Sequence, residues 1–186
     1  MSRLIRYLNR TVAALVATVT ISLPALADGP RLDELFAQLG QEGLPNWQVV
    51  EQEIWMEWSK SGSPAMDLLL QRGREAMEEG DLDAAIEHLT ALTDHAPGFA
   101  EGFNARATAY YRQGLFGPSL EDIAHTLALN PRHFGAMIGL GTIFEEMGQP
   151  ERALEAYHAA RAIHPNEPDL KGAIERLEKD LSGTTL

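Results

Sequence analysis

The chain has 186 residues, 45% of them hydrophobic, and its 27 acidic side chains outnumber 15 basic ones for a formal net charge of −12. Lysine is confined to Lys60, Lys171 and Lys179, and so acidic a chain excludes nucleic-acid binding, which needs clustered Lys and Arg to displace counterions from phosphates. With no cysteine, disulfides, thiol nucleophiles and CxxC zinc sites are excluded as well.

The first segment is a leader. Arg3, Arg6 and Arg10 precede an apolar run over 11–23, and Pro24-Ala25-Leu26-Ala27 comes next. A basic start, a short apolar core and an A-x-A end predict a secretory signal peptide over 1–27, cut after Ala27. The run is short for a permanent span, so the mature chain is expected to hold no integral membrane segment; retention of the leader as an anchor is the alternative. Without a cysteine there is no lipoprotein attachment site. Because the leader holds three of the 15 basic residues and no acidic one, its removal takes the charge from −12 to −15.

Residues 28–65 carry their own pattern. Leu32, Leu35, Phe36 and Leu39 share one face of a short amphipathic helix beginning at Arg31. Gly40 to Pro45 breaks it, and a second helix starts after Asn46, with Trp47, Val50, Ile54 and Trp58 as its stripe. All three tryptophans lie here, Trp55 one residue off that stripe. Two readings stand: a degenerate hairpin capping the open edge of the downstream helical stack, or a docking surface centred on Trp55.

From residue 66 the chain is periodic. Gly80, Gly114 and Gly148 stand 34 residues apart, and Pro97, Pro131 and Pro165 keep the same step. In the same register run Gly73, Ala107 and Gly141, then Leu69, Phe103 and Met137, then Leu89, Ile123 and Tyr157. Each unit reads as helix, glycine turn, helix and a proline that stops the second helix, over 66–99, 100–133 and 134–167. Residues 168–186 supply a final helix, with Leu170, Ala173, Ile174, Leu177 and Leu181 inside and charges outside, and a tail; this element caps the array.

With its phased aromatic, small residue, Tyr110, Gly114, Phe116 and Pro131, the unit from Ala100 to Pro131 resembles the tetratricopeptide repeat family, and its two neighbours match nearly as well. Arg72 and Arg106 replace the family's usual leucine, and Ser119 its usual alanine. The resemblance implies an all-α fold, a right-handed α-α superhelical solenoid of helical hairpins with atypical N-terminal helices and a C-terminal capping helix. Leader and repeats together look like the small exported repeat proteins of Gram-negative bacteria, which implies a periplasmic location.

By the same resemblance, function belongs to the concave face formed by the first helix of each unit. The residues expected there are Leu70, Arg74 and Met77, then Asn104, Thr108 and Tyr111, then Ile138, Thr142 and Glu145. The family's two-carboxylate clamp, built from lysines, asparagines and arginine, is mostly missing: its matching positions include Leu70, Arg74, Ala105, Gly135 and Gly139. Gly135 and Gly139 are unusual inside a helix and are read as close packing against the helix of the second unit. Glu78, Arg112 and Glu146 align as a charge ladder between units.

Nothing in the sequence carries catalysis. The six histidines fall on second helices or turns, no HExxH is present, and no serine keeps recognisable company with His and Asp. No catalytic residue, metal site or cofactor is assigned. The expected role is a non-enzymatic scaffold or adaptor that binds a protein or peptide in the groove; the alternative is a structural subunit docked permanently through Trp47 to Trp58. Homo-oligomerisation stays open.

Overall fold

The structure, a computed structural model, describes residues 29–183. The leader expected over 1–27 lies outside the described residues. Every regular element among the described residues is a helix. Two short ones, α1 (Pro30–Leu39) and α2 (Trp47–Trp58), precede three hairpins: α3 (Pro64–Glu79) with α4 (Leu82–His95), α5 (Ala100–Arg112) with α6 (Phe116–Leu129), and α7 (Phe134–Glu146) with α8 (Pro150–Ile163). A last helix, α9 (Pro168–Gly183), closes the array. This is an all-α solenoid of stacked hairpins.

The turn inside each hairpin repeats atom for atom. Gly80, Gly114 and Gly148 adopt φ of 82°, 76° and 68°, a left-handed backbone that costs a residue with Cβ about 1–2 kcal/mol. The next amide then reaches back five residues: Asp81 N to Ala76 O at 2.9 Å, Leu115 N to Tyr110 O at 2.9 Å, Gln149 N to Phe144 O at 2.8 Å. Orphan carbonyls at three helix ends are satisfied in the same way.

The small residues in register serve close helix approach. A Cβ on Gly73 would lie 2.5 Å from Leu89 Cγ, and one on Gly141 would lie 2.4 Å from the Tyr157 ring. The middle hairpin solves the same problem differently, with Ser119 Oγ donating to the Ala107 carbonyl at 2.7 Å where it is fully buried. Arg106 is also accommodated. Its guanidinium donates twice to the buried Asp122 carboxylate, at 2.7 and 2.8 Å, and to Thr93 Oγ1 at 2.7 Å. The hydrogen bonds to Asp122 raise the Arg106 pKa above its ordinary value. At the far end, Leu170, Ile174 and Leu177 of α9 pack on Phe144, Tyr157 and Ala160.

Two expectations are corrected. Arg112 does not form a rung of a charge ladder; its Nη1 donates at 2.9 Å to the Met77 carbonyl near the end of α3, which also accepts the Gly80 amide at 3.2 Å. The α1–α2 pair does not cap the open edge of the first repeat. Leu35, Phe36, Leu39, Val50, Ile54 and Trp58 instead form one buried cluster with Phe134, at the start of α7. The core of the first hairpin, around Leu70, Leu89 and Leu92, contains no residue of α1 or α2.

Candidate functional site

On a helix, residues four and three apart share a face, and α5 and α7 are the first helices of adjacent hairpins. Asn104, Thr108 and Tyr111 of α5 therefore meet Ile138 and Thr142 of α7 across a cavity of about 240 Å³, floored by Ala107, Ile123, Gly139 and Ile143. A Cβ on Gly139 would meet only Ile123 Cδ1, at 3.7 Å. This glycine faces the second repeat with room for a Cβ at ordinary contact distance, so it keeps the groove floor low and the tight packing expected of it is not needed there.

The two threonine hydroxyls of the groove spend their protons on their own helices. Thr108 and Thr142 each donate their hydroxyl to a carbonyl one turn back, Asn104 O and Ile138 O, both at 3.0 Å. Asn104, which lines the groove, donates from Nδ2 to Glu101 Oε2 at 3.2 Å. Behind Thr142, the Tyr157 hydroxyl donates to Glu145 Oε1 at 2.7 Å, and Arg176 pairs with the same carboxylate at 2.8 Å. Burial pushes the Tyr157 pKa up to about 12; the hydrogen bond with Thr142 works against that, and the pairing with Glu145 adds to it.

Three expected groove residues are not available to a partner. Leu70 and Met77 are buried, 2% and 7% exposed, in the core of the first hairpin. Arg74 reaches out of α3 but is already engaged: it donates to Glu101 Oε1 at 2.5 Å and to Ser59 Oγ at 3.0 Å. Its guanidinium fixes a buried carboxylate instead of offering charge to a ligand.

That carboxylate anchors a network the sequence did not reveal. Glu101, 3% exposed, also meets His133 Nε2 at 2.9 Å. His133 Nδ1 accepts the Ala136 amide at 3.1 Å and so caps α7, which leaves the ring proton on Nε2 to be donated to Glu101. Trp58 stacks on His133 with centroids 4.2 Å apart and planes at 15°. A glutamate on α5 and a histidine in the loop before α7 carry no spacing signal; only the stacking of the helices unites them.

Trp55 is likewise turned to internal use. Its ring meets Trp58, His133 and Phe134 edge-on at 5.2, 5.5 and 5.5 Å. It also lies over Gly135, where a Cβ would fall 2.5 Å from Trp55 Cη2. Gly135 thus admits the hairpin's tryptophan rather than the second repeat. One side of Trp55 thus makes an intramolecular contact at one end of the groove, since Gly135 also lines the cavity, while the partly exposed remainder of the ring lies beside Gln52, Met56 and Lys60.

Around this contact the hairpin is pinned to two inter-repeat loops. Arg132 pairs with Asp33 at 2.7 Å and lies 4.3 Å over the Phe36 ring. Asn166 accepts from the Gly43 amide at 2.7 Å and donates to the carbonyls of Gln41 at 2.8 Å and Leu39 at 3.2 Å.

Comparison with known proteins agrees with this geometry. A family model described as tetratricopeptide repeat matches residues 70–121 and 104–168. A TPR repeat-containing protein of Rhizobium etli is 35% identical over 154 residues, covering 82% of this chain and 76% of that protein. Among solved structures, the Sgt2 TPR domain from Aspergillus fumigatus superposes with a TM-score of 0.62 at 23% identity, covering 66% of this chain and 83% of that one. The first TPR of Spaghetti (RPAP3), bound to the HSP90 peptide SRMEEVD, also gives 0.62 at 23% identity, covering 64% of this chain and 95% of that one. Several longer relatives are matched over only 12% to 40% of their own length.

Proposed function

This chain belongs to the tetratricopeptide repeat family, and from that premise we propose that it is a non-enzymatic periplasmic scaffold that holds a protein or peptide segment between α5 and α7. The observation that carries the reading is the groove itself, apolar in its floor and edged by Asn104, Thr108, Tyr111 and Thr142. A cavity of about 240 Å³ suits one or two partner side chains, not an enclosed metabolite. A neighbouring fold, the first TPR of Spaghetti, was solved with a peptide bound, which supports a peptide as the class of ligand here.

The chemistry differs from recognition of an acidic tail. The basic group expected in the groove, Arg74, is consumed by Glu101, and the wall offers uncharged amide and hydroxyl groups. An extended segment presenting backbone amides and one bulky apolar side chain fits best, the side chain seated above Gly139 and beside Ile138. The periplasmic part of the proposal rests on the leader pattern over 1–27 taken together with the repeats. No helix among the described residues is long and apolar enough to cross a membrane.

Affinity capture from a periplasmic extract tests the reading, comparing the wild type with Asn104→Ala/Tyr111→Ala and with Gly139→Leu, which fills the groove. A partner retained by the wild type and lost from both variants is expected. Equal retention by all three sinks the groove. Intact-mass measurement of the fractionated protein checks the location, with a mature chain beginning at Asp28 in the periplasmic fraction as the expected result.

A further inference from the structure

His164 is the C-cap residue of α8, directly before Pro165, and its backbone amide is satisfied by Ala160 O at 2.9 Å. Its ring is fully buried, held edge-on between Trp47 at 5.1 Å and Phe134 at 5.3 Å. Neither Nδ1 nor Nε2 has a hydrogen-bond partner. Leaving a buried polar group unsatisfied is costly, and such groups in folded proteins ordinarily find a partner, a water or an ion. The ring nitrogen does face something. Nε2 lies 3.9 Å from Glu51 Oε1 of α2, and one donor atom each from Glu51, His164 and Glu167 falls within a span of 4.8 Å.

We infer that Glu51, His164 and Glu167 form a binding site for a divalent transition-metal ion of the Zn²⁺ type, clasped between the N-terminal hairpin and the loop that joins α8 to α9. One imidazole and two carboxylates form a borderline-soft donor set, and the buried imidazole favours Zn²⁺-like ions over Mg²⁺ or Ca²⁺. Ligand atoms at about 2.0–2.2 Å from an ion stand roughly 3.3 Å from one another. The present spread therefore closes by a rotamer adjustment of Glu51 and Glu167, both only partly buried. Trp55 Nε1 donates to Glu51 Oε1 at 3.3 Å, and the Asp169 amide donates to Glu167 Oε1 at 3.2 Å. Both contacts hold the carboxylates in place, as supporting residues do around metals.

Glu51 stands on the hairpin, while His164 and Glu167 lie on either side of Pro165-Asn166, after α8. An ion there ties α2 to the solenoid and holds Trp55 at the end of the groove. The full ligand set is not announced by spacing, because Glu51 lies more than a hundred positions before His164 and Glu167.

The test uses the full chain, stripped with a chelator and dialysed, then titrated with Zn²⁺ by calorimetry and with Co²⁺ by visible absorption. Binding of one ion per chain is expected, with a raised thermal midpoint and a d–d spectrum of low coordination number. His164→Phe keeps the aromatic packing and removes the ligand; Glu51→Gln and Glu167→Gln keep side-chain length on partly exposed positions and serve as the test where His164→Phe fails to fold. Each is expected to weaken Zn²⁺ binding at least about 10-fold, a loss typical of disturbing a metal's surroundings. No one-to-one binding in the wild type, or unchanged affinity in the folded variants, overturns the site.

Discussion

Within the repeats, helices meet their neighbours in sequence: Gly73 lies beneath Leu89, Gly141 beneath Tyr157, and Ser119 against the Ala107 carbonyl. The hairpin α1–α2 is held by residues about a hundred positions away, Asp33 by Arg132, Gly43 by Asn166, and Trp58 by His133. The first region repeats one short-range solution three times. The second is a single long-range docking, built on aromatic rings and on side chains that emerge from inter-repeat loops. A repeat array propagates by nearest-neighbour contacts, whereas an element docked across it can detach while the array stays folded.

Separating the two regions experimentally is therefore the sharpest check on the comparison. The largest effect is expected from Trp58→Ala, which empties the buried space between Phe36, His133 and Phe134. Truncating a buried tryptophan costs about 3–5 kcal/mol, and here the loss should fall on the hairpin alone. Limited proteolysis should then cut between α2 and α3 while the repeats keep their helical circular dichroism. A single cooperative loss of both regions would show that they are one unit.

A smaller and more discriminating effect comes from two glycines four residues apart. Gly135→Ala forces its Cβ against the Trp55 ring and should cost about 1–3 kcal/mol, as overpacking does. Gly139→Ala meets only an ordinary contact and should be neutral or stabilise by up to about 1 kcal/mol through helix propensity. Urea denaturation of the two variants decides the matter; equal costs would mean that Trp55 does not rest on Gly135.

The smallest effect belongs to the repeats and to alkaline solution. The Tyr157 pKa stands at about 12 in the fold against an ordinary 10.0, so the folded protein binds this proton more tightly than the unfolded chain does. Its contribution is intact below pH 10 and is lost as pH rises towards about 12. Thermal melts across that window should show a decline that Tyr157→Phe reduces.

The register of 34 made the three hairpins legible, and the face shared by Asn104, Thr108 and Tyr111 came from the resemblance to the repeat family. Arg74 could not be read correctly, because the carboxylate that occupies it, Glu101, belongs to the next repeat. The internal contacts of Trp55 could not be read because its partners, His133, Phe134 and Gly135, lie about eighty positions on, outside any periodic pattern. Exposure of a lone aromatic is not written in its own segment.

By itself the sequence determined the helices, their turns and their order of stacking. Left-handed glycines, chain-stopping prolines and small residues at fixed steps act on their immediate surroundings, and a period repeats those surroundings. Only the tertiary structure decided where the first hairpin rests, which groove residues stay free, and that Glu51 meets His164 and Glu167. Those outcomes depend on contacts between parts of the chain that share no local signal, and they exist only once the solenoid has curved its loops into one edge.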